Sequence, residues 1–592
     1  MAKGGARISL VKTTIEIIKY SFKCSPLMMG ILILNSLISG VMGGSNVWVM
    51  QNLFDAVTKL GSGQLSLNEM IFPIVLFIFF LLGLQFFNSV AYYFMHNMGM
   101  RMHGYMCKKV AEKSAKLEPV LFESPEILDE INKASGATHL AFWAGNTVIV
   151  SLIFYLPFIL ITSLYLYHLN PLLILVIFLS GAPKVIGLGL RAKLYTNLEE
   201  KSASLRRQFT FYEEAIVDRQ FLKETRMLGG FGFFKEKYLR SIHLLNRETW
   251  KADATAACFD LMTEVLTLLS YFGILFLLFS SLRNGMITVG AFAAVLASVN
   301  QLSQTIDELI SYHFASIAED LGKISYLIQL FELPEKTGEE VEINWKGDIE
   351  FKNVHFSYPN SIKTSMNNLS LTIKAGETVA IVGENGAGKS TFTKLLMGLY
   401  QPTSGQISVD GKSLENVMSQ SLFNGVSAVF QDYQRYQLTL KENIQISHTE
   451  ASEELFSIMD EAGVAWESRS YPEGIDTILS REFDGVDLSG GQWQRISIAR
   501  GLYRFHDLIV LDEPTAAIDP LEESRLYEKF AEISKDKTAV IVTHRLGSAQ
   551  IADKIIVLDN GRVVEIGTHQ ELMVNEGHYA RMYEAQSSWY MS

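Results

Sequence analysis

The feature that most constrains the fold is a series of long apolar runs confined to the first half of the chain. Each run approaches the roughly 20 residues that a helix needs to cross a hydrocarbon core about 30 Å thick. We count six, at about residues 27–49, 71–94, 142–167, 171–190, 261–282 and 289–312. The sixth is the weakest, because polar residues such as Asn300 and Asp307 interrupt its second half. The sequence therefore predicts an all-α transmembrane domain of six helices.

The segments that separate the apolar runs alternate between short and long. Short loops join the first run to the second, the third to the fourth and the fifth to the sixth, whereas long polar stretches follow the second and fourth runs. Lysine and arginine are frequent within residues 98–116 and 191–251, so the positive-inside rule places both stretches, and the N-terminus, in the cytoplasm. Their composition favours helices that extend about 30 to 40 Å beyond the bilayer. Solvated loops are the alternative interpretation.

Near the tips of these stretches lie residues that break helices. Phe122–Glu126 contains Ser124-Pro125, which ends one helix and can begin another, because proline suits the first helical turn. Asp218–Gln220 lies in a comparable place in the second stretch. We expect short crosswise helices at both places, positioned to dock on a soluble domain.

The sequence pattern changes near residues 332–344, where a charged linker begins. Beyond it, short β-branched runs alternate with helical patterns, which is typical of an α/β domain. We therefore expect a transmembrane domain over residues 1–330, a linker over 331–346 and an α/β domain over 347–592. The formal net charge of −12 supplies no basic excess to neutralise phosphates, which argues against nucleic acid as a partner.

A glycine-rich loop in the α/β domain carries the strongest functional signal. Residues 383–390 follow the pattern GxxxxGK[ST] between a strand-like run and a helical one, which is the context of a phosphate-binding loop. Glycines let backbone N–H groups point at the phosphates, Lys389 adds a positive charge, and Ser390 offers a hydroxyl to Mg²⁺. The sequence thus predicts a site for ATP or GTP. The expected nucleotide contacts are Gly383, Asn385, Gly386, Gly388, Lys389, Ser390 and Thr391.

An acidic pair ends a second strand-like run, at residues 508–511. Asp512 would leave a buried strand beside the phosphate loop and is placed to hold Mg²⁺, directly or through water. Glu513 beside it can polarise the water that attacks the γ-phosphate in line. Alone, such a pair would more often be a turn than a site. Its combination with the phosphate loop favours the catalytic interpretation.

Residues 488–492 read LSGGQ, a glycine-rich turn that opens a helical stretch. Backbone N–H groups and the helix dipole make such a turn a second anion-binding site, expected to involve Ser489, Gly490, Gly491 and Gln492. Together with the phosphate loop and the acidic strand end, this motif makes the chain resemble an ATP-binding cassette (ABC) protein over its whole length. The resemblance implies ATP and Mg²⁺ as cofactors.

The resemblance also implies roles for residues that local patterns leave ambiguous. Tyr358 corresponds to the aromatic side chain that stacks on adenine. Gln431 corresponds to the glutamine that reaches Mg²⁺ and the attacking water, and His544 to the histidine that contacts the γ-phosphate. Asp519 corresponds to a residue at the interface between two cassettes. Taken alone, Tyr358 and His544 would be ordinary structural residues.

In this family the LSGGQ turn of one cassette faces the phosphate loop of another, with ATP between them. A chain with one cassette therefore implies a second copy, in a homodimer, or a similar partner chain, in a heterodimer. A membrane half followed by a cassette resembles the exporter branch, which implies export by alternating access through coupling helices around Phe122–Glu126 and Ile216–Gln220. The apolar runs argue against a soluble cassette ATPase and the fused arrangement against an importer, whereas a channel gated by ATP is a rival.

Two departures from the common exporter pattern, at residues 479–485 and 432–436, and Trp493 after LSGGQ resemble bacterial exporters of lantibiotics and other peptides. The resemblance implies a peptide cargo and a bacterial inner membrane, with multidrug or lipid export as the alternative. Polar residues at membrane depth are functional candidates by default. Those that could contact cargo are Lys184, Glu264, Gln301 and Glu308. Pairing among them, or contact with water, is an equally weighted alternative.

Overall fold

The computed structural model describes the chain apart from residues 1–9, 310–314, 337, 360, 362, 449–453, 515–528, 531, 533–536 and 592. The chain divides into two compact units. The first comprises Met1–Lys113 and Glu130–Glu332, and the second comprises Ser114–Asp129 and Leu333–Ser592. Each unit therefore has its own core.

Long helices make up most of the chain between residues 10 and 332. They are α1 (Leu10–Cys24), α2 (Pro26–Gly61), α3 (Ile71–Lys116), α4 (Pro125–Ala137), α5 (Leu140–Ile153), α6 (Tyr155–Leu169), α7 (Pro171–Val217), α8 (Arg219–Met227), α9 (Phe231–Arg283), α10 (Val289–Asp307) and α11 (Ala315–Glu332). Helix α7 packs along α9, and α2 packs along α6 and α10. Buried apolar side chains such as Phe158, Leu278 and Val295 form a core between these helices.

Both predicted helix breaks are present. A 3₁₀ helix, Pro119–Glu123, follows α3, and α4 begins at Pro125. Asp218 ends α7 and begins α8 at once, because its side chain accepts a hydrogen bond from the backbone N of Gln220 at 2.9 Å. Such a cap satisfies one of the N–H groups that have no partner within the helix. The short helices therefore form for local reasons that the sequence displays.

Four helical stretches in the described part of the chain are long and apolar enough to cross a membrane, by length and composition. They are Pro26–Gly61, Ile71–Lys116, Leu140–Leu169 and Phe231–Arg283, and they coincide with the first, second, third and fifth predicted runs. The fourth run falls on the start of α7, where most side chains over 175–185 lie outside the described residues. Within α10, Val289–Ser298 is a shorter apolar helix. The count of six spans stays a prediction.

The structure describes the side chains of three of the four polar residues that we selected for cargo contact. Glu264 on α9, Gln301 on α10 and Glu308 are all exposed, and Glu308 also hydrogen-bonds with Tyr155. The side chain of Lys184 lies outside the described residues. Cargo contact stays a prediction for all four.

The described residues of the second unit form two sheets. Its strands are β1 (Ile349–Phe356), β2 (Met366–Ile373), β3 (Thr378–Val382), β4 (Ser404–Val409), β5 (Lys412–Ser413), β6 (Val426–Val429), β7 (Leu508–Asp512), β8 (Thr538–Val542), β9 (Lys554–Asp559) and β10 (Arg562–Gly567). One sheet is antiparallel, in the order β2-β1-β4-β5. The other has the order β10-β9-β3-β8-β7-β6 and is parallel except for β10. Strands β7 and β8 are buried throughout, as expected of a parallel sheet covered on both faces.

Helices cover these sheets, and the described residues of the unit form three apolar cores, the third of which contains Leu546, Leu572 and Tyr579. The helices are α12 (Lys389–Leu396), α13 (Ser419–Phe423), α14 (Leu440–Ile444), α15 (Glu454–Glu461), α16 (Gly490–Tyr503), α17 (Leu546–Ala549), α18 (His569–Val574) and α19 (His578–Met591). The first core includes Phe351 and Phe392, and the second includes Trp493 and Ile496 of α16. A helical membrane domain followed by an α/β domain confirms the predicted fold class.

Residues Ser114–Asp129 belong to the second unit, although they run from the last residues of α3 into the first residues of α4. Glu123 accepts a hydrogen bond from Nζ of Lys394 at 3.0 Å and another from the hydroxyl of Tyr400. These bonds hold the pKa of Glu123 below its usual range, the bond from Tyr400 contributing most. Val120 packs against the first core. The segment is thus tied to α12 and to the residues that follow it.

Candidate nucleotide-binding site

The loop between β3 and α12 has a backbone that requires glycine. Gly383 and Gly388 have φ angles of 155° and 104°, which side chains with a Cβ rarely adopt. A Cβ at Gly383 would overlap the carbonyl oxygen of Leu558, and one at Gly388 would lie 2.5 Å from the side chain of Met366. These glycines therefore let the chain curl tightly before α12 begins.

Lys389 and its neighbours form the first turn of α12. Nζ of Lys389 donates to the carbonyl oxygens of Gly383 at 2.9 Å and Glu384 at 3.2 Å, so the ammonium group lies over its own loop. Burial lowers the pKa of Lys389, while Glu513 and Asp512 oppose that shift. A positive group beside the N-terminus of a helix is an arrangement that binds phosphate.

The acidic pair lies at the end of β7, next to the end of β8. Asp512 pairs in register with Val542, so the side chains that follow these two parallel strands meet at one edge of the sheet. Burial, with a smaller contribution from Glu513, raises the pKa of Asp512 to about 6. Glu513 has a φ of 49°, and its backbone N–H donates to the carbonyl oxygen of Val542 at 3.0 Å. A non-glycine residue at positive φ is uncommon and marks a place where the surrounding structure dictates the backbone.

His544 follows β8 and faces Glu513. Nδ1 of His544 and Oε1 of Glu513 lie 3.2 Å apart. A glutamine from the last helix, Gln586, accepts from the backbone N of Leu546 at 2.9 Å and donates to the carbonyl oxygen of His544. One side chain of α19 therefore brackets the turn that carries His544.

One cavity of about 590 Å³ brings most of the predicted residues together. Those that line it are Asn385, Gly386, Gly388, Lys389, Ser390, Thr391, Gln431, Glu513 and His544. Gly383 and Asp512 lie next to it, through their hydrogen-bonding and electrostatic contacts with Lys389. Asp519 lies outside the described residues.

The cavity also includes residues that the sequence analysis did not select. They are Lys363, Thr364, Ser365, Asn560, Gly561 and Gln586. The Asn560-Gly561 dipeptide marks the hairpin between β9 and β10, but nothing in a hairpin turn indicates a nucleotide. These residues reach the cavity because distant parts of the chain pack beside the phosphate loop.

Tyr358 and the LSGGQ turn are not among the described residues that line this cavity. The hydroxyl of Tyr358 lies 3.1 Å from Oγ1 of Thr391, and its ring packs edge-on against Phe356 and Tyr400. Ser489 caps α16 in a reciprocal pair of hydrogen bonds with Gln492. The roles of these residues toward a nucleotide stay predictions.

The residues near the cavity fit a magnesium ion held together with phosphates. Ser390, Gln431 and Asp512 offer a hydroxyl, an amide oxygen and one carboxylate. Mg²⁺ usually keeps several waters and binds one or two carboxylates plus substrate phosphates. In the part of the chain that the structure describes, no group of three or more His, Cys, Asp or Glu residues could hold a metal without such help. The buried carboxyl of Asp512 would gain most from a cation, because burial without one raises its pKa.

The chain is similar in sequence to known ATP-binding transport proteins over nearly its whole length. The family profile described as "ABC transporter transmembrane region" matches residues 29–306, and that described as "ABC transporter" matches residues 366–516. The "Subtilin transport ATP-binding protein SpaT" of Bacillus subtilis is 30% identical over 582 residues, 94% of this chain and 91% of that protein. The chain belongs to the ABC transporters. Its membrane helices precede the ATP-binding domain in one chain, so this ABC transporter is of the exporter type.

Other relatives of this ABC transporter differ in their names. An "ATP-dependent lipid A-core flippase" of Alkalilimnicola ehrlichii is 30% identical over 427 residues, 71% of this chain and 72% of that protein. A solved structure, "Structure of a bacterial Atm1-family ABC exporter with ATP bound", has a TM-score of 0.74 at 21% identity and covers 94% of this chain and 99% of its own. That likeness shows the fold. The transporter is therefore a multi-pass membrane protein with an ATP-binding domain.

Proposed function

We propose that this transporter exports its cargo by alternating access, driven by ATP binding and hydrolysis. The observation that carries the proposal is that Lys389, Gln431, Glu513 and His544 line one shared cavity in a chain that also has a membrane domain. Binding of ATP closes two cassettes, and hydrolysis opens them again. The membrane helices follow through the segments that reach the cassette, as in other switches that depend on the γ-phosphate.

The residues of the cavity support a division of roles in hydrolysis. Lys389 neutralises charge on the phosphates, and the N-terminal turn of α12 adds its N–H groups. Glu513 takes the proton of the attacking water, and an Nδ1–H of His544 can donate to that carboxylate, because the two atoms lie 3.2 Å apart. When bound, Mg²⁺ neutralises developing charge on the phosphates, and Ser390, Gln431 and Asp512 would hold it. Tyr358 provides an aromatic surface for adenine.

A second copy of the chain completes the site. In one chain the LSGGQ turn begins α16 and does not contribute to the described lining of the cavity. Its backbone N–H groups, at the start of a helix, can bind phosphate oxygen. We therefore propose a homodimer in which Ser489, Gly490 and Gly491 close on the nucleotide of the partner copy, with Asp519 near the interface. A heterodimer with a similar chain is the alternative.

Coupling to the membrane domain relies on the segment Ser114–Asp129. Glu123 bonds to Lys394 and Tyr400, and Lys394 belongs to α12, the helix that starts with Lys389 and Ser390. A shift of α12 on nucleotide binding is thereby transmitted to Glu123.

The positive-inside pattern supports a cytoplasmic cassette and N-terminus, and we propose the bacterial inner membrane as the location. A linker near residues 331–346 would join the domains.

Peptide is the cargo class that we favour. The relative named for subtilin transport aligns with 94% of this chain, and residues 432–436 and Trp493 share the pattern of peptide exporters. Lipid is the second candidate, because a lipid A-core flippase is equally identical over a shorter stretch. Glu264, Gln301 and Glu308 on α9, α10 and just after α10 are candidates for contact with either cargo.

The proposal is tested by ATP hydrolysis of the purified chain in lipid nanodiscs, beside the Glu513→Gln variant. We expect the wild type to hydrolyse ATP by itself and the variant to lose hydrolysis by about 10² to 10⁴-fold while still binding ATP. A wild type that binds ATP but stays inactive with every cargo would contradict the homodimer and indicate a missing partner chain. Hydrolysis that no cargo alters would instead favour a channel gated by ATP.

The cargo class is tested separately, in inside-out vesicles. Cationic peptides, a fluorescent amphipathic drug and a fluorescent phospholipid are each offered with ATP, and with Glu513→Gln vesicles as the control. Uptake of peptide that requires ATP and Glu513 supports peptide export. Movement of the phospholipid alone would replace peptide by lipid as the cargo.

A further inference from the structure

The segment that follows Gln431 contacts α16 in a way that the proposed function does not use. Tyr433 lies two residues after Gln431, and its hydroxyl donates to the carbonyl oxygen of Gly490 at 2.8 Å. Gly490 is the first residue of α16 and part of the LSGGQ turn. One side chain thus joins a residue of the nucleotide cavity to the motif that lies outside it.

The position of Tyr433 is determined by packing. Its ring is partly buried and packs against the second core, which contains Leu488, the first residue of the LSGGQ turn, and Trp493, the residue after it. A buried aromatic ring has few rotamers, so the hydroxyl is presented to Gly490 without further loss of entropy. A hydroxyl in such surroundings usually has a partner, and here the partner is the LSGGQ backbone.

The rest of the segment is held at the other end of α16. The guanidinium of Arg500 lies 4.7 Å from the ring centre of Tyr436 and donates to the carbonyl oxygen of Gln434 at 3.3 Å. Arg500 also donates to the backbone and side-chain oxygens of Asn443, at 2.9 Å each. Asn443 is fully buried and donates to the carbonyl oxygen of Tyr436 at 3.0 Å. These bonds compensate the charge of the partly buried arginine, and they hold the segment against this end of α16.

The two attachments act at different ends of one rigid element. Gly490 and Arg500 are ten residues apart, about 15 Å along a helix. The bonds of Arg500 therefore retain the segment on α16 but leave the LSGGQ end free to tilt. The bond of Tyr433 acts at that end, next to the N–H groups that would meet a phosphate.

We propose that Tyr433 is a positioning residue that sets the orientation of the LSGGQ turn according to the state of Gln431 in the same chain. The inference rests on the proposed function, in which this turn closes on the nucleotide of the partner copy. Gln431 reports on the nucleotide of its own cavity, and Tyr433 transmits its position to the other cavity. Occupancy of one site then alters the affinity of the second.

Mixed dimers test the inference without turnover. Two differently tagged full-length chains are co-produced, purified as mixed dimers in nanodiscs, and both carry Glu513→Gln. One chain also carries Lys389→Ala, so ATP is retained on the phosphate loop of the other chain and closed by the LSGGQ turn of the Lys389→Ala chain. Tyr433→Phe is then placed in one chain or in the other, and the affinity for ATP is measured.

We expect a loss of affinity of about three- to tenfold, the effect of one hydrogen bond, when Tyr433→Phe lies in the Lys389→Ala chain. When Tyr433→Phe lies in the chain that holds ATP, the affinity for ATP should fall by less than about twofold. The matched control is Tyr503→Phe, which removes a hydroxyl bonded to Gln445 at the other end of α16. Thermal unfolding of each variant checks that the fold is retained, as expected when only a hydroxyl is removed.

Each other outcome has a distinct meaning. A larger loss in the ATP-holding chain, or equal losses in both, overturns the positioning role, because Tyr433 would then act on its own cavity or on folding. An equal effect of Tyr503→Phe overturns it as well. If the copies do not assemble, the proposed dimer itself is wrong and the inference falls with it. If one Lys389→Ala chain does not halve the ATP bound, the proposed role of Lys389 is wrong, and the inference falls with the proposed function.

Discussion

In the first unit, many large apolar side chains lie on the outside of the helices as well as in the core, whereas in the second unit most of them fill the interior. Phe79 and Leu82 of α3 are 65% and 63% exposed, while Val510 of β7 and Val540 of β8 are buried. Both arrangements satisfy the same physical demand. Hydrocarbon surrounds the spanning helices, so apolar groups face it and backbone polar groups must pair within each helix. Water surrounds the second unit, so apolar groups are removed from contact with it.

The two units also use glycine for different reasons. In α2, Gly40 and Gly44 are one turn apart, and a Cβ at Gly40 would lie 2.5 Å from the carbonyl oxygen of Phe154. Small residues at this spacing let membrane helices approach closely where no hydrophobic effect drives them together. In the phosphate loop, Gly383 is needed because its φ is positive and because the backbone carbonyl oxygen of Leu558 leaves no space for a Cβ. The glycines of α2 therefore permit close helix packing, whereas those of the phosphate loop permit a backbone conformation that other residues rarely adopt.

The largest effect should come from the phosphate loop. Gly383→Ala combines an unfavourable φ with a Cβ that would overlap the backbone carbonyl oxygen of Leu558, so we expect ATP affinity to fall by more than about 100-fold, strain of this kind costing about 1–3 kcal/mol per feature. Gly386→Ala is the matched control, because its φ of 83° is also positive but a Cβ there meets nothing within 4 Å. The ATP affinity of the Gly386→Ala variant should fall by about tenfold. Equal losses would mean that conformation alone, and not space, decides the loop.

Gly44→Leu tests the packing glycine in the first unit. A Cβ at Gly44 would lie 2.9 Å from Ile161 and 3.0 Å from the carbonyl oxygen of Phe158, so α2 and α6 must separate. We expect thermal stability of the detergent-purified protein to fall by the equivalent of about 1–3 kcal/mol, with ATP affinity unchanged within about twofold. Gly30→Leu, on the same helix with nothing within 4 Å, should have little effect on either. A drop in ATP affinity for Gly44→Leu would break the comparison between the units.

Glu123→Gln tests the segment that belongs to the second unit but lies between membrane helices. It removes the ion pair with Lys394, whose partners are partly exposed, so the cost in stability should be below about 1 kcal/mol. We expect cargo stimulation of ATP hydrolysis to fall about threefold, while hydrolysis without cargo stays constant. Glu126→Gln, on the same segment but bonded to Ser124, is the control. A fall in basal hydrolysis with stimulation intact would place Glu123 in the site and not in the coupling.

The smallest effect should come from the last helix. Gln586→Leu removes both hydrogen bonds that bracket the turn of His544, and we expect kcat to fall about two- to fivefold with KM for ATP little changed. Tyr583→Phe, on the same helix as Gln586, is the control. It loses a hydrogen bond from Gln550 and leaves the contacts of His544 intact. In a His544→Ala background, Gln586→Leu should add nothing. A further loss there would show that Gln586 contacts the reaction directly.

Much of the candidate site could be predicted because its signals are local. Residues 383–390 specify a loop through glycines whose φ angles and lack of space the structure displays. Proline at 125 and aspartate at 218 specify helix starts in the same way. Such patterns depend on a few neighbouring residues, and backbone conformation responds to those neighbours first. The apolar stretches of α2, α3, α5–α6 and α9 could be predicted equally well, because about 20 consecutive apolar residues are stable mainly within the hydrocarbon of a membrane.

Contacts between segments that are distant in the chain could not be predicted from the sequence. Gln586 reaches the turn of His544 from 42 residues away, and Tyr433 meets Gly490 across 57. Glu123 and Lys394 are separated by 271 residues. No short pattern encodes such pairs, because each depends on how whole helices and sheets pack. The family resemblance indicated roles for Gln431 and His544, but their shared cavity appears only once β7 and β8 lie side by side.

The sequence by itself determined four helical stretches that are apolar enough to cross a membrane, the glycine-rich loop between β3 and α12, and the acidic pair at the end of β7. Those properties depend on solvent preference and on local backbone geometry, both of which act residue by residue. Tertiary structure decided which side chains surround the loop, which residue brackets His544, and that Tyr433 meets the LSGGQ turn. These depend on packing of surfaces far apart in the chain, where a contact is favourable only after the entropy of closing the intervening loops has been overcome.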